Sequence, residues 1–173
     1  MSKATTFTFG QRGFWALDDA FGVWLAYLVE EIAKRGAACE PWLATQAEQW
    51  RGAAAITELG ADAGESTDER VGELLAIAVA ARQRAVQVGD IPVESLREWI
   101  IVDDLPVAGG FSRTGDRVEV SRVLDVAAGF VALLDGSLAP DPPTGAWLFG
   151  TGKGPQVMGY RPEFRTRPRF ERG

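Results

Sequence analysis

The strongest constraint on the fold is an apolar run, FGVWLAYLV, at residues 21 to 29. It belongs to a helical pattern that begins after Asp18 or Asp19, either of which can cap it, and that ends at Gly36. Apolar residues recur at three- and four-residue spacings, and others widen the stripe: Phe21, Val23, Trp24, Leu25, Tyr27, Leu28, Val29 and Ile32. A surface helix has one apolar stripe, and this pattern has more than one. We therefore expect a helix that other elements cover on several sides.

Two further helices are expected before residue 90. Pro41 suits the first turn of the second helix, because proline has no backbone N–H to lose there. Ser66 or Thr67, with Glu69 to follow, resembles a capping box at the start of a third helix that continues to Gly89.

The remaining patterns are those of short strands and additional helices. Phe7 and Phe9 alternate with polar residues, as in a half-buried strand. The second half of the sequence predicts a short helix from Pro92 and a strand over residues 99 to 102. A hairpin follows over residues 106 to 121, with TGD at its turn, and then a helix that is capped by Ser121 and ends at Gly136. Two strands around a glycine-rich turn are predicted within residues 146 to 160.

Together these elements predict a single α+β domain over residues 1 to 160. The N-terminal half supplies a helical layer of about three helices. The C-terminal half supplies a fourth helix and a small, mostly antiparallel sheet that packs with this layer. Residues 161 to 173, which hold five arginines, are expected to form a basic and flexible C-terminal tail.

The absence of histidine limits the chemistry of any active site. It excludes Ser-His-Asp and Cys-His catalysis and metal sites that use imidazole. The single cysteine excludes an internal disulfide and zinc sites built from several thiolates. We therefore expect no catalytic residues, no metal site and no cofactor, while an enzyme that works without histidine stays open.

Two motifs that resemble active-site segments have simpler interpretations. Asp103 and Asp104 follow a predicted strand, but neighbouring residues on a strand point to opposite faces, so the pair is expected to end the strand. The segment FGTGKG at residues 149 to 154 lacks the first glycine of a phosphate-binding Walker loop and the Ser or Thr that follows its lysine. A hairpin turn is therefore expected there.

The charge is distributed unevenly along the chain. The net charge is −6, and residues 40 to 73 alone hold eight acidic residues against two arginines. A surface of this kind repels phosphate backbones and attracts basic proteins. It is also typical of a solvated helical face that keeps a protein in solution, and the sequence leaves both interpretations open.

The leading functional hypothesis is a non-enzymatic protein-binding module, plausibly an inhibitor or immunity-type protein that neutralises a basic protein partner through an acidic helical face. Aromatic anchors and complementary charges concentrate affinity at such interfaces. The candidate contacts are Trp42, Glu48, Trp50, Glu58, Glu69 and Glu73.

The same features suggest the cellular context of this module. We expect no strong nucleic-acid binding and no membrane association, and the sequence indicates no oligomeric state. A cytoplasmic location is expected, because the first residues do not have the pattern of a signal peptide and a single cysteine suits a reducing compartment.

The alternative hypothesis is a small-ligand-binding domain, or an enzyme that works without histidine, with a pocket between the helices and the sheet. Its candidate polar contacts are Asp103, Arg113 and Tyr160.

Overall fold

The helical pattern around Trp24 forms the central helix of the fold. In the computed structural model, which describes residues 4 to 64 and 67 to 159, this helix begins at Asp18 and nearly all of its side chains are buried. The α-helices are α1 (Asp18–Ala33), α2 (Pro41–Ala55), α3 (Asp68–Val88), α4 (Val93–Glu98) and α5 (Val120–Leu134). Helix α1 packs against α2, α3 and α5, which supply the cover that its wide apolar surface requires.

The strands are short and form one main sheet and two small ones. They are β1 (Ala4–Phe9), β2 (Arg12–Leu17), β3 (Ala61–Asp62), β4 (Ile91–Pro92), β5 (Ile100–Val102), β6 (Leu105–Pro106), β7 (Arg117–Val118), β8 (Gly145–Phe149) and β9 (Gln156–Gly159). The main sheet has the order β3-β1-β2-β8-β9, while β4 pairs with β7 and β5 with β6. Of the six strand pairings in the described residues, the β1–β3 and β2–β8 pairings are parallel and the other four are antiparallel. The fold is α+β, as the sequence predicts.

Alternation along the first hairpin sets the face of the main sheet that packs on the helices. Phe7 of β1 and Phe14 of β2 are paired in register and both are buried. The Phe7 ring lies 5.0 Å from the ring of Phe130 in α5 and 6.1 Å from that of Trp50 in α2. Each buried ring contributes roughly 1.5 to 3 kcal/mol to the free energy of folding, so this aromatic cluster fixes the sheet against the helical layer.

Asp103 and Asp104 end a strand, as predicted. Strands β5 and β6 form a hairpin, and the two exposed aspartates are its turn. Asp103 adopts a φ of 47°, a conformation that aspartate tolerates better than most residues.

Three local predictions are wrong. Neither Asp18 nor Asp19 caps α1, because both lie inside the helix and its N-cap position is Leu17, which has no side-chain cap. Residues 106 to 121 do not form a hairpin, because Ala108, Gly109 and Gly110 all have positive φ and end the strand, and Arg117–Val118 pairs with Ile91–Pro92 instead. Ser121 does not cap the last helix. That helix begins at Val120, whose N–H is 2.9 Å from the side chain of Asp90.

Within residues 4 to 64 and 67 to 159, no helix combines the length and the apolar character needed to cross a bilayer.

Candidate functional site

The predicted acidic region forms an exposed surface along α2 and the elements that follow it. Its exposed carboxylates, which we call the acidic surface, are Glu40, Glu48, Glu58, Asp62, Asp68 and Glu69. Helix α2 carries Glu48 on its outer side, and Glu58 lies in the short 3-10 turn just beyond its C-terminus. Arg51 pairs with Glu48 at 2.7 Å in an exposed position, so this arginine only partly offsets the negative charge.

Trp42 connects the starts of α2 and α3 at this surface. Its indole N–H donates to the Glu40 carboxylate at 2.6 Å, and the guanidinium of Arg70 lies 4.9 Å from the centre of its ring. A cation over an indole face is attracted by the ring quadrupole. Glu69 therefore lies beside the N-terminal end of α2, although it belongs to α3.

Two of the predicted contact residues are not free surface groups. Trp50 has an exposed fraction of 0%, and its indole N–H donates to the Asp62 carbonyl at 2.7 Å. It is therefore a core residue, which corrects its prediction as a partner contact. Glu73 is half-buried and pairs with Arg35 at the end of α1, so its charge is used inside the molecule.

The structure describes two of the three residues predicted for a ligand pocket. Asp103 lies in the β5–β6 turn, and Arg113 donates through Nε to the Asp18 carboxylate at 2.6 Å. Tyr160 lies outside the described residues, so the set of three stays a prediction. Arg113 nevertheless marks a buried network of charges that the sequence prediction missed.

The centre of this network is an ion pair between Asp19 in α1 and Arg122 in α5. Their side chains are 0% and 4% exposed, and the pair is bidentate, with contacts of 2.5 Å to Oδ1 and 3.0 Å to Oδ2. The Arg122 Nε also donates to the Gly150 carbonyl at 2.8 Å, and Nη1 donates to the Thr114 hydroxyl. One guanidinium thus joins two helices and two loops.

Asp125 fixes the second of these loops. Its carboxylate, one turn after Arg122, accepts hydrogen bonds from the backbone N–H groups of Gly150 at 2.7 Å and Thr151 at 3.0 Å. Gly152 then passes so close to α5 that a Cβ there would lie 3.0 Å from the Ser121 hydroxyl oxygen. The glycine-rich turn is therefore a loop held against the helix, and Gly152, with a φ of 78°, suits that approach.

The two loops enclose a cleft of about 680 Å³, with Arg122 in its wall. The lining residues come from the end of β2, the start of α5, and the loops around residues 114 to 117 and 151 to 156: Leu17, Asp90, Thr114, Gly115, Asp116, Arg117, Glu119, Arg122, Thr151, Lys153 and Gln156. The volume is in the range of ligand-binding clefts, and charged and hydrogen-bonding groups dominate the lining.

A sequence signal for this network exists in retrospect. Arg122 lies four residues before Val126 and eight before Phe130, so it occupies the buried stripe of α5. Asp18 and Asp19 are the first two residues of the apolar helix α1, and we interpreted them only as capping residues. Opposite charges that belong to two apolar helices indicate an ion pair, because a lone buried charge is too costly.

A second, smaller cavity of about 300 Å³ lies between α1, α3 and α4. Tyr27, Glu30 and Trp99 line it, and the Tyr27 and Trp99 rings lie 5.3 Å apart. Burial raises the pKa of Tyr27 to about 12, with a smaller contribution from the Glu30 charge. Burial also raises the pKa of Glu30, although Arg84 and Lys34 oppose this. Both shifts mark a poorly hydrated site.

We expect Tyr27 to remain protonated far above its ordinary pKa. Tyr27 and Tyr160 are the two tyrosines of the chain, so Tyr160→Phe leaves Tyr27 as the only phenol, and its near-ultraviolet titration should have a midpoint at about 12. The ordinary pKa of a tyrosine, which applies to the unfolded chain, is 10.0. The stability that the folded protein gains from the protonated Tyr27 is therefore fully present below pH 10 and is lost as the pH rises through about 12. A midpoint near 10 in a protein that is still folded would contradict this.

Within the described residues, no group of three or more acidic or cysteine side chains is arranged to hold a metal ion. Comparison of the chain with protein-family models, with curated proteins and with solved structures finds no match. The function must therefore be argued from the geometry of this chain alone.

Proposed function

We propose that this protein is a protein-binding module whose acidic surface recognises a basic protein. The observation that carries the proposal is the combination of six exposed carboxylates with two exposed aliphatic side chains in the same segment of the fold. Complementary charge attracts and orients a partner, and apolar contacts then hold it.

The electrostatic part of the argument rests on charge density. The described residues from 40 to 73 hold seven carboxylates against Arg51 and Arg70. With both arginines counted, the six exposed carboxylates of the acidic surface leave a net charge of −4. This surplus favours association with a basic protein and disfavours a nucleic-acid backbone.

The apolar part of the argument rests on Ile56 and Leu59. These side chains are 44% and 69% exposed, and they flank Glu58 directly after α2. We call them the exposed aliphatic pair. We assign to them the anchoring role that the sequence suggested for Trp50. A partner can exclude water from these aliphatic groups while the neighbouring carboxylates remain hydrated at the rim of the interface.

The dimensions of the surface fit an interface of ordinary size. Helix α2 has 15 residues and so spans about 22 Å, with Glu69 near one end and the exposed aliphatic pair at the other. A standard interface covers roughly 800 Å² per partner, which is a patch of comparable width. In its most concrete form, the proposal is that the protein is a cytoplasmic inhibitor or immunity-type protein that neutralises its basic partner through this surface.

Charge reversal at the acidic surface should abolish partner capture. The test is affinity capture from cell lysate with wild-type protein and with the triple variant Glu48→Lys, Glu58→Lys, Glu69→Lys. The matched control is Glu94→Lys, Glu98→Lys, Asp141→Lys, which changes the net charge equally at exposed carboxylates outside residues 40 to 73. A basic protein retained by the wild type and the control, and lost by the triple variant, supports the proposal.

Two outcomes count against it. Equal retention by all three proteins means that the acidic surface is not the interface, and the absence of any retained basic protein means that it has no such partner. If the retained protein has an enzymatic or toxic activity, measuring that activity with and without stoichiometric wild-type protein separates an inhibitor from a module that binds without inhibiting.

A further inference from the structure

The cleft beside Arg122 has the construction of a ligand site and is separate from the acidic surface. Its walls are fixed from behind by buried groups, because Arg122 holds the loop at Thr114 and Asp125 holds the loop at Gly150 and Thr151. Walls supported in this way keep their shape without a ligand, which lowers the ordering cost of binding.

Most charges in the cleft are already committed to partners. Arg122 is paired with Asp19. Arg117 lies 3.3 Å from the Asp116 carboxylate and 3.9 Å from that of Asp90, and Asp90 also accepts from the Val120 N–H. Both arginines of the cleft are therefore engaged, while Asp90 and Asp116 share one of them.

Two opposite charges in the lining are not committed. Lys153 and Glu119 both line the cleft and are exposed, and in the residues that the structure describes neither side chain has an ion-pair partner within 4.0 Å. Lys153 lies in the loop after Gly150, and Glu119 is the residue that precedes α5. The cleft therefore offers one cation and one anion to a ligand, together with neutral hydrogen-bonding groups.

We infer that this cleft binds a small zwitterion of amino-acid or dipeptide size. Lys153 receives the carboxylate of the ligand and Glu119 its ammonium group. The Thr114 hydroxyl accepts from Arg122 and the Gln156 Nε2 group bonds backbone carbonyls, which leaves the Thr114 O–H as a donor and Gln156 Oε1 as an acceptor for the ligand. A ligand with only one charge pairs with either Lys153 or Glu119 and leaves the other without a counter-charge. Charge-assisted hydrogen bonds at both ends give the site its preference for zwitterions.

The test uses the unblocked dipeptide Ala-Ala, its N-acetyl derivative and its methyl ester. Calorimetry and amide chemical shifts measure their binding to the full chain. The unblocked dipeptide should bind and shift the amides of residues 114 to 119 and 151 to 156, and each blocked form should bind at least about tenfold more weakly, because one charged contact is lost.

Variants identify the two contacts separately. Lys153→Gln should lower the affinity for Ala-Ala about tenfold and remove its preference over the methyl ester, whereas Glu119→Gln should remove its preference over the N-acetyl form. Lys34→Gln and Glu94→Gln, which lie outside the cleft, should change nothing. Folding of each variant is verified by its unfolding midpoint.

Three results would overturn the inference. They are no binding of Ala-Ala at millimolar concentration, equal binding of its blocked forms, and binding that both cleft variants leave unchanged. Loss of binding in the charge-reversed variant of the acidic surface would also show that the two sites are not separate.

Discussion

Arg122→Met should lower the free energy of unfolding by about 3 to 5 kcal/mol, as measured by urea denaturation at neutral pH. The substitution keeps the apolar stem and removes the guanidinium, so the carboxylate of Asp19, with an exposed fraction of 0%, loses both of its ion-pair contacts. Ser112 and the Arg113 N–H still donate to Asp19, at 3.0 and 3.3 Å, but they are neutral donors and do not neutralise the charge. A buried carboxylate without a counter-charge dominates the cost.

The double variant Asp19→Asn, Arg122→Met separates charge from packing. An amide oxygen can still accept from the Ala20 N–H, as Asp19 does at 2.8 Å, and neither member of the former ion pair is charged. The double variant should therefore recover at least about 1 kcal/mol relative to Arg122→Met alone. Arg51→Met breaks the exposed pair with Glu48 and should cost less than about 1 kcal/mol. An Arg122 variant no less stable than the Arg51 variant would contradict this account.

Trp50→Ala should lower the free energy of unfolding by a similar amount, about 3 to 5 kcal/mol. Trp50 is fully buried, and its ring lies 6.1 Å from that of Phe7 in β1 and 5.8 Å from that of Phe130 in α5. Removing it leaves a cavity that the surrounding rings can fill only in part. A loss below about 1 kcal/mol would show that Trp50 is not a core residue.

A pair of phenylalanine substitutions isolates the hydrogen bond of Trp50. Trp50→Phe loses the 2.7 Å bond to the Asp62 carbonyl, which retains the Gln46 amide as a donor. The indole N–H of Trp24 is buried and has no hydrogen-bond partner in the described residues. Trp24→Phe therefore removes a similar volume and no hydrogen bond, and it should cost about 1 kcal/mol less than Trp50→Phe.

Much of the fold follows from the periodicity of the sequence. Helix α2 starts at Pro41 as predicted, and Thr67 does cap α3 by accepting from the Arg70 N–H, while α1 starts at Asp18 itself, slightly earlier than predicted. These signals are local, because a cap or a proline acts within one turn of its own position.

The pairing partners of short strands could not be predicted in the same way. Strand β7 has two residues and pairs with β4, more than twenty residues earlier, so no turn residue specifies the pairing. The ion pair between Asp19 and Arg122 was not predicted for a related reason. Asp19 and Arg122 are 103 positions apart, and only the packing of α5 on α1 brings them together. Trp50 was misassigned because two aromatic residues on one helix do not show which of them faces the core.

The central claim, recognition of a basic protein by the acidic surface, is tested most directly by the binding kinetics of the purified partner. We expect its association rate constant to fall steeply as the salt concentration rises, because electrostatic steering is screened over roughly 10 Å at 0.1 M ionic strength. The triple variant Glu48→Lys, Glu58→Lys, Glu69→Lys should associate at least about tenfold more slowly at low salt. Ile56→Ser, Leu59→Ser should instead raise the dissociation rate constant with little change in association. An association rate constant that is independent of salt and equal in the wild type and the triple variant would contradict the claim.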